Sequence, residues 1–305
     1  MIWRGKIAVA NKGEDSISFI NPHLGREEYR IYLEAGTGPG ALVRFNNSPT
    51  LLVVNAFDSS LACLDLDSGV VEEILPVGRC PSSIAVCNRM HAVYVTNADS
   101  DSISVIQNGD EFNVVSQIPV GSAPQGIDCH PHLPLLAIAH INSQDIWLVE
   151  TEGYTLVKKM VIEGYPVQVK FSSKGDILYA GCYFHSHKLF NRVLLIDPHE
   201  GVICHEIDVG CIPHKILESR DGSCLLVTSC EAGRLEVVDL ASRSVVHAAD
   251  IGETVCDIAL DQEGIYAYVT AAKEGCVCVV DWKAGKKIGN IRVGKNPSGI
   301  VYLGK

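Results

Sequence analysis

No apolar run in the 305 residues is longer than a few positions, so nothing approaches the roughly 20 residues that a transmembrane helix needs. The start of the chain, Met1-Ile2-Trp3-Arg4-Gly5, shows no charged-then-apolar leader, and Lys6-Ile7-Ala8-Val9-Ala10 reads at once as a strand. Positive charge is in deficit: 25 Lys and Arg stand against 36 Asp and Glu, a net charge of −11. That balance speaks against the clustered basic footprint needed for nucleic acid, and equally against an anionic membrane surface. Convincing helical periodicity is absent throughout. So are a Cys-x-x-Cys pair, a phosphate-binding loop, a dinucleotide fingerprint and a Ser-His-Asp order. Gly36-Thr37-Gly38-Pro39-Gly40 follows a strand without opening a helix, so it is no phosphate cradle.

What the chain has is a repeat. A Gly followed two or three residues later by Pro recurs at Gly36/Pro39, Gly78/Pro81, Gly121/Pro124, Gly164/Pro166, Gly210/Pro213 and Gly294/Pro297, with Gly252/Val255 completing the series. The Gly spacings are 42, 43, 43, 46, 42 and 42 residues. Each unit reads as four short strands rich in Val, Ile and Tyr, separated by polar turns, which is a β-meander of propeller-blade length. Six complete units lie between the first and last anchors. Residues 5–33 supply three further strands and residues 297–303 one more, so the two ends complete a seventh blade and remove the open sheet edges. The expectation is a single all-β domain over 1–305, a seven-bladed β-propeller of four-stranded antiparallel blades. The blades are 297–303 with 5–33, then 39–77, 81–120, 124–163, 166–209, 213–251 and 255–293, numbered one to seven.

Tyr94-Val95-Thr96-Asn97, with Tyr268-Val269-Thr270 and Leu226-Val227-Thr228 at matching places, resembles the YVTN-family β-propeller repeat. The Ile/Val-Gly-x-x-Pro turns and third strands ending in Asp65, Asp197, Asp239 and Asp281 carry the same resemblance, which spans nearly the whole chain. It implies the fold. Similar propellers include binding and surface proteins as well as lactonase-like enzymes, and no catalytic motif of such enzymes matches a position here, so the catalytic residues are unknown.

In such a ring the Gly-x-x-Pro turns and the loops between second and third strands share one face and surround one mouth of the central channel. The second strands end at Asn11, Asn55, Asn97, His140, Cys182, Ser229 and Ala271. An Asn there closes its own turn; the change from blade four onward points to a different demand. Blade five carries the one large insertion, eleven positions from Cys182 to Val193 where Asn97 to Ile103 spans six. Its Tyr183, Phe184, His185, His187 and Phe190 read as a binding element at that mouth, or as a loop packing its own aromatics.

Twelve cysteines without a leader predict reduced thiols in the cytoplasm. Cys63, Cys87, Cys129, Cys204, Cys224 and Cys278 fall in or beside strands and read as small buried residues. The ligand-binding candidates are His185, His187, His214, Lys215, Glu231 and Asp257, all mapped to the mouth beside blades five to seven. Cys182, Cys211, His214, Cys230 and Cys256 are candidate ligands for zinc or another transition metal gathered from separate blades. The alternatives for these groups are scattered reduced thiols, or a reactive thiol at Cys211 or Cys256. Lys215 and Asp257 share the second position after the anchor in neighbouring blades, which predicts an ion pair or an acid–base pair. The function that best fits is a cytosolic module binding a small ligand or a protein or peptide partner. The alternative is a metal- or Cys/His-dependent hydrolase or lyase using the same mouth.

Overall fold

A computed structural model describes residues 3–184, 191–210 and 212–304. Within them, 28 strands form seven antiparallel sheets of four. Blade one is ordered Pro297–Tyr302, Ile7–Asn11, Ser16–Asn21, Arg26–Tyr32, so the last strand of the chain takes the innermost place beside the first. Tyr302 pairs with Ile7 and Pro297 with Asn11. The innermost strands of the other blades are Pro39–Arg44, Pro81–Cys87, Pro124–Cys129, Tyr165–Phe171, Pro213–Glu218 and Val255–Leu260. Each packs on the innermost strands of the blades before and after it, which closes the ring. Among the described residues, no helix is long and apolar enough to cross a membrane.

Position within the blade sets the burial. Second and third strands lie between neighbouring sheets and are buried on both faces, as in Leu51–Asn55 and Ile103–Ile106. Outermost strands alternate, as in Arg26–Tyr32 and Lys286–Arg292, because only one face meets a neighbour. This corrects one expectation: Cys204 lies on an outermost strand and is exposed, and Cys129 and Cys224 are half-buried, whereas Cys63, Cys87 and Cys278 are core residues. All eleven described cysteines are free thiols.

The Tyr-Val-Thr-Asn pattern has a physical content. Tyr94 is buried between blades three and four. The Thr96 hydroxyl donates to the Gln125 carbonyl of the next blade at 3.0 Å, and Thr270 does the same to Ser298 at 2.8 Å and Thr228 to Cys256 at 3.3 Å. Each Thr is thus a clasp from one blade's second strand to the next blade's innermost strand. Asn97 donates to Ser102 and Ser104, and Asn11 to Ser16 and Ser18, closing the turn to the third strand. The anchor glycine belongs to the same device. Gly294 donates its N–H to Asn11 Oδ1 at 3.0 Å, and a Cβ on Gly294 would lie 2.5 Å from Asn11 Cγ. In blades one and three the glycine is required by close approach of the Asn side chain.

Two outcomes follow from closure and clasp. Deleting residues 296–305 removes the innermost strand of blade one and lowers the melting temperature sharply; a truncated chain that melts like the whole one contradicts the closure. Thr270→Val keeps the side-chain shape but leaves the Ser298 carbonyl without its hydroxyl donor. A loss of about 1–2 kcal/mol in denaturant unfolding is expected.

Candidate functional site

Every innermost strand has a register shift just after its anchor, between Pro213 and Lys215 in blade six and between Val255 and Ile258 in blade seven, for example. Such bulges re-aim side chains, and here they present the residues after the anchor to the ring axis. The result is a central cavity of about 730 Å3 lined by all seven innermost strands.

Apart from Arg44, the charged groups of its wall come from one side. Blades one to three contribute Ala41, Val43, Ala85, Val86 and Val301, with the neutral polar Ser83 among them. Blades four to seven contribute Asp128, Gln168, Lys170, Lys215 and Asp257. Lys170 Nζ lies 2.9 Å from Asp128 Oδ1, and the Phe171 N–H donates to Asp128 Oδ2 at 2.8 Å. Lys215 Nζ lies 3.8 Å from Asp257 Oδ1, beyond hydrogen-bonding distance. Asp257 is fixed by the N–H of Ile258 at 2.8 Å and of Ile300 at 3.3 Å. Arg44 also reaches the cavity, but its guanidinium donates to the carbonyls of Ser48, Asn47 and Gly304 and lies over Trp3, so it serves the scaffold.

Lys215 and Asp257 therefore face each other across blades six and seven. His214, directly after the Pro213 anchor, is exposed. Cys256 is pushed up to about 12 by burial, with Cys230 and Asp257 beside it. Burial and the neighbouring Glu231 push Cys230 up as well, and Glu231 itself is exposed. Cys182 must be corrected: it is fully buried in the apolar cluster between blades four and five, with Ala139, Phe171 and Ala180, and is no ligand at a mouth. His185, His187 and Cys211 lie outside the described residues. Among the described residues, no group of three or more His, Cys, Asp or Glu is placed to hold a metal ion. The cavity also reaches Asn46, Asn47, Asn88 and His91, in turns between first and second strands, on the face opposite the Gly-x-x-Pro turns.

The Asp128–Lys170 pair escaped the sequence reading. Both residues stand four positions after their Pro anchors in adjacent blades, and the comparison that found Lys215 and Asp257 two positions after theirs would have found them. His140, the first departure from the Asn pattern, has a structural role. Its Nδ1 lies 2.7 Å from Asp145 Oδ1, Lys159 Nζ lies 3.0 Å from Asp145 Oδ2, and the ring packs edge-on to Trp147. A His–Asp pair here replaces the Asn–Ser pairs of blades one to three.

No protein-family profile matches this sequence, and no curated protein matches it. Solved structures do. A functionally unknown protein from Desulfotomaculum acetoxidans superposes with a TM-score of 0.83 at 15% identity, covering 98% of this chain and 99% of that one. Hydrazine synthase from Kuenenia stuttgartiensis gives 0.77 at 18% identity, over 88% of this chain and 90% of that one. Dihydro-heme d1 dehydrogenase NirN gives 0.67 at 14% identity, over 98% and 75%. At these identities the likeness establishes the propeller fold alone.

Burial depresses the imidazoles of His130 and His140. Below about pH 6.5 the unfolded chain binds protons that the folded ring refuses, so stability is lost as pH falls through that value. The double variant His140→Asn, Asp145→Ser restores the pattern of blades one to three. Its melting temperature is expected to fall less than the parent's between pH 7.5 and 5.5; an unchanged slope assigns the effect to the other histidines.

Proposed function

We propose that the protein is a non-catalytic binding module whose central cavity takes a small amphipathic molecule with an anionic head. The observation that carries this reading is the two-sided wall. Among the described residues the Lys215 ammonium has only the long 3.8 Å ion pair with the fixed Asp257 carboxylate, while blades one to three offer apolar surface. A ligand carboxylate or phosphate at Lys215 would complete its coordination, and an apolar tail would lie on the opposite wall. His214 and the exposed Glu231 belong to the far side, toward the Gly-x-x-Pro mouth, where a peptide or protein partner is the companion proposal. The hydrolase or lyase reading is less well supported, because burial, mutual proximity and neighbouring carboxylates all disfavour a thiolate at Cys230 or Cys256. Membership of the YVTN group is supported by the Thr clasp and the Asn closure, and a cytoplasmic home by the eleven free thiols.

Octanoate and octyl phosphate, the probes of choice, are expected to raise the melting temperature in a saturable way. Lys215→Ala should weaken the half-saturating concentration about tenfold, the scale of one charge-assisted contact, and Glu231→Gln should leave it unchanged. Absence of any shift, or a shift indifferent to Lys215, would falsify the cavity as an anion site.

A further inference from the structure

The cavity wall holds two acid–base pairs, and only one of them is closed. Asp128 and Lys170, from blades four and five, meet at 2.9 Å, and the second oxygen of Asp128 accepts the Phe171 N–H. Lys215 and Asp257, from blades six and seven, also face the cavity but stand 3.8 Å apart. That gap is too long for a hydrogen bond, yet short enough for each charge to feel the other. An ion pair so long and so open to water adds little to stability. The same two groups in a cavity wall are well placed to be bridged.

One member of the open pair is fixed and the other adjustable. Asp257 Oδ1 accepts the Ile258 N–H of its own strand at 2.8 Å, and Oδ2 accepts the Ile300 N–H of blade one at 3.3 Å. Main chain from two blades therefore pins the carboxylate, whereas the Lys215 ammonium rides on a flexible four-carbon stem. Round the ring from Asp257, the second position after the anchor continues as Gly299 and then Ala41. Beside the charged pair, that level of the wall has no side chain larger than a methyl group.

We propose that the open pair selects the head group of a free α-amino acid with an apolar side chain, which rests on the cavity being the anion-binding site argued above. In such a head the nitrogen and the carboxyl carbon are roughly 2.5 Å apart, two bonds across one tetrahedral carbon. The ligand carboxylate accepts from Lys215, and the ligand ammonium donates to Asp257. Four charges then alternate in sign around a small quadrilateral, with each like-charged pair on a diagonal. A simple anion supplies half of that pattern, because it meets Lys215 with the pinned Asp257 charge on its flank and nothing to offset it. A peptide terminus carries one of the two charges without the other, so this position favours a free amino acid over a peptide. The side chain leaves the same carbon past Gly299 and Ala41, toward the apolar surface of Val43 and Val301.

The test compares octanoate with 2-aminooctanoate, which differ by the amino group alone, in calorimetric titrations of the full chain. In the wild type, 2-aminooctanoate is expected to half-saturate at a concentration about tenfold below octanoate, the scale of one further charge-assisted contact. Asp257→Asn should erase that advantage while octanoate binds at least as tightly as before, and Lys215→Ala should weaken both probes. Octanoate bound through Lys215 with 2-aminooctanoate no tighter, or an advantage that persists in Asp257→Asn, overturns the amino-acid head and leaves the anion site standing. Binding of neither probe, or binding indifferent to Lys215, overturns both. Should Asp257→Asn misfold by circular dichroism, the ratio of the two half-saturating concentrations in the wild type decides.

Discussion

Everything in this protein hangs on one strand pairing, Pro297–Tyr302 against Ile7–Asn11. A blade buries both faces of its middle strands only if it has a neighbour on each side. Left open, the ring would expose one such face at each end, and the core clusters between blades seven and one and between one and two would lose a wall. The pairing places residues nearly three hundred positions apart side by side, and local contacts alone do not supply it. At the seams between blades three and four, six and seven, and seven and one, a Thr clasp ties one blade's second strand to the next blade's first.

The fold was legible in the sequence because its signals are local and repeated: an anchor, a strand length, a turn, seven times over. The closing strand could be counted, since three strands at one end required one at the other. The site was harder to read, for a reason visible in Cys182. Its sequence position, at the end of a second strand, was aligned correctly, but all seven of those strand ends are buried, and Cys182 lies in the apolar core between blades four and five. The Asn series was similarly half-read. Its turn-closing role is evident from the residue type, whereas the demand it places on the preceding glycine is a contact between segments distant in the chain. Cys204 failed differently, because an apolar residue type was taken as burial on a strand with only one covered face.

The charged pairs of the cavity join neighbouring blades at equal distances from their anchors. Lys215 and Asp257 share the second position after the anchor in blades six and seven. Asp128 and Lys170 obey the same geometry two positions further along and complete the polar half of the cavity. The channel is therefore built by offset, each distance from the anchor supplying one tier of side chains, and its polarity varies by blade within a tier.

The second tier holds one more consequence. In blades one and four it consists of Gly299 and Gly126, and a methyl group on either would lie 2.1 Å from the Gly40 carbonyl oxygen or 2.7 Å from Gln168 Cα. At those two seams the bore is bounded by main chain pressed against main chain, which has no rotamers with which to step aside. The calibre is thus fixed at two points of the hoop and adjustable at Ala41, Ser83, Gln168, Lys215 and Asp257. Divergence can retune what the bore admits one side chain at a time, while its width at the glycine seams stays a property of the backbone.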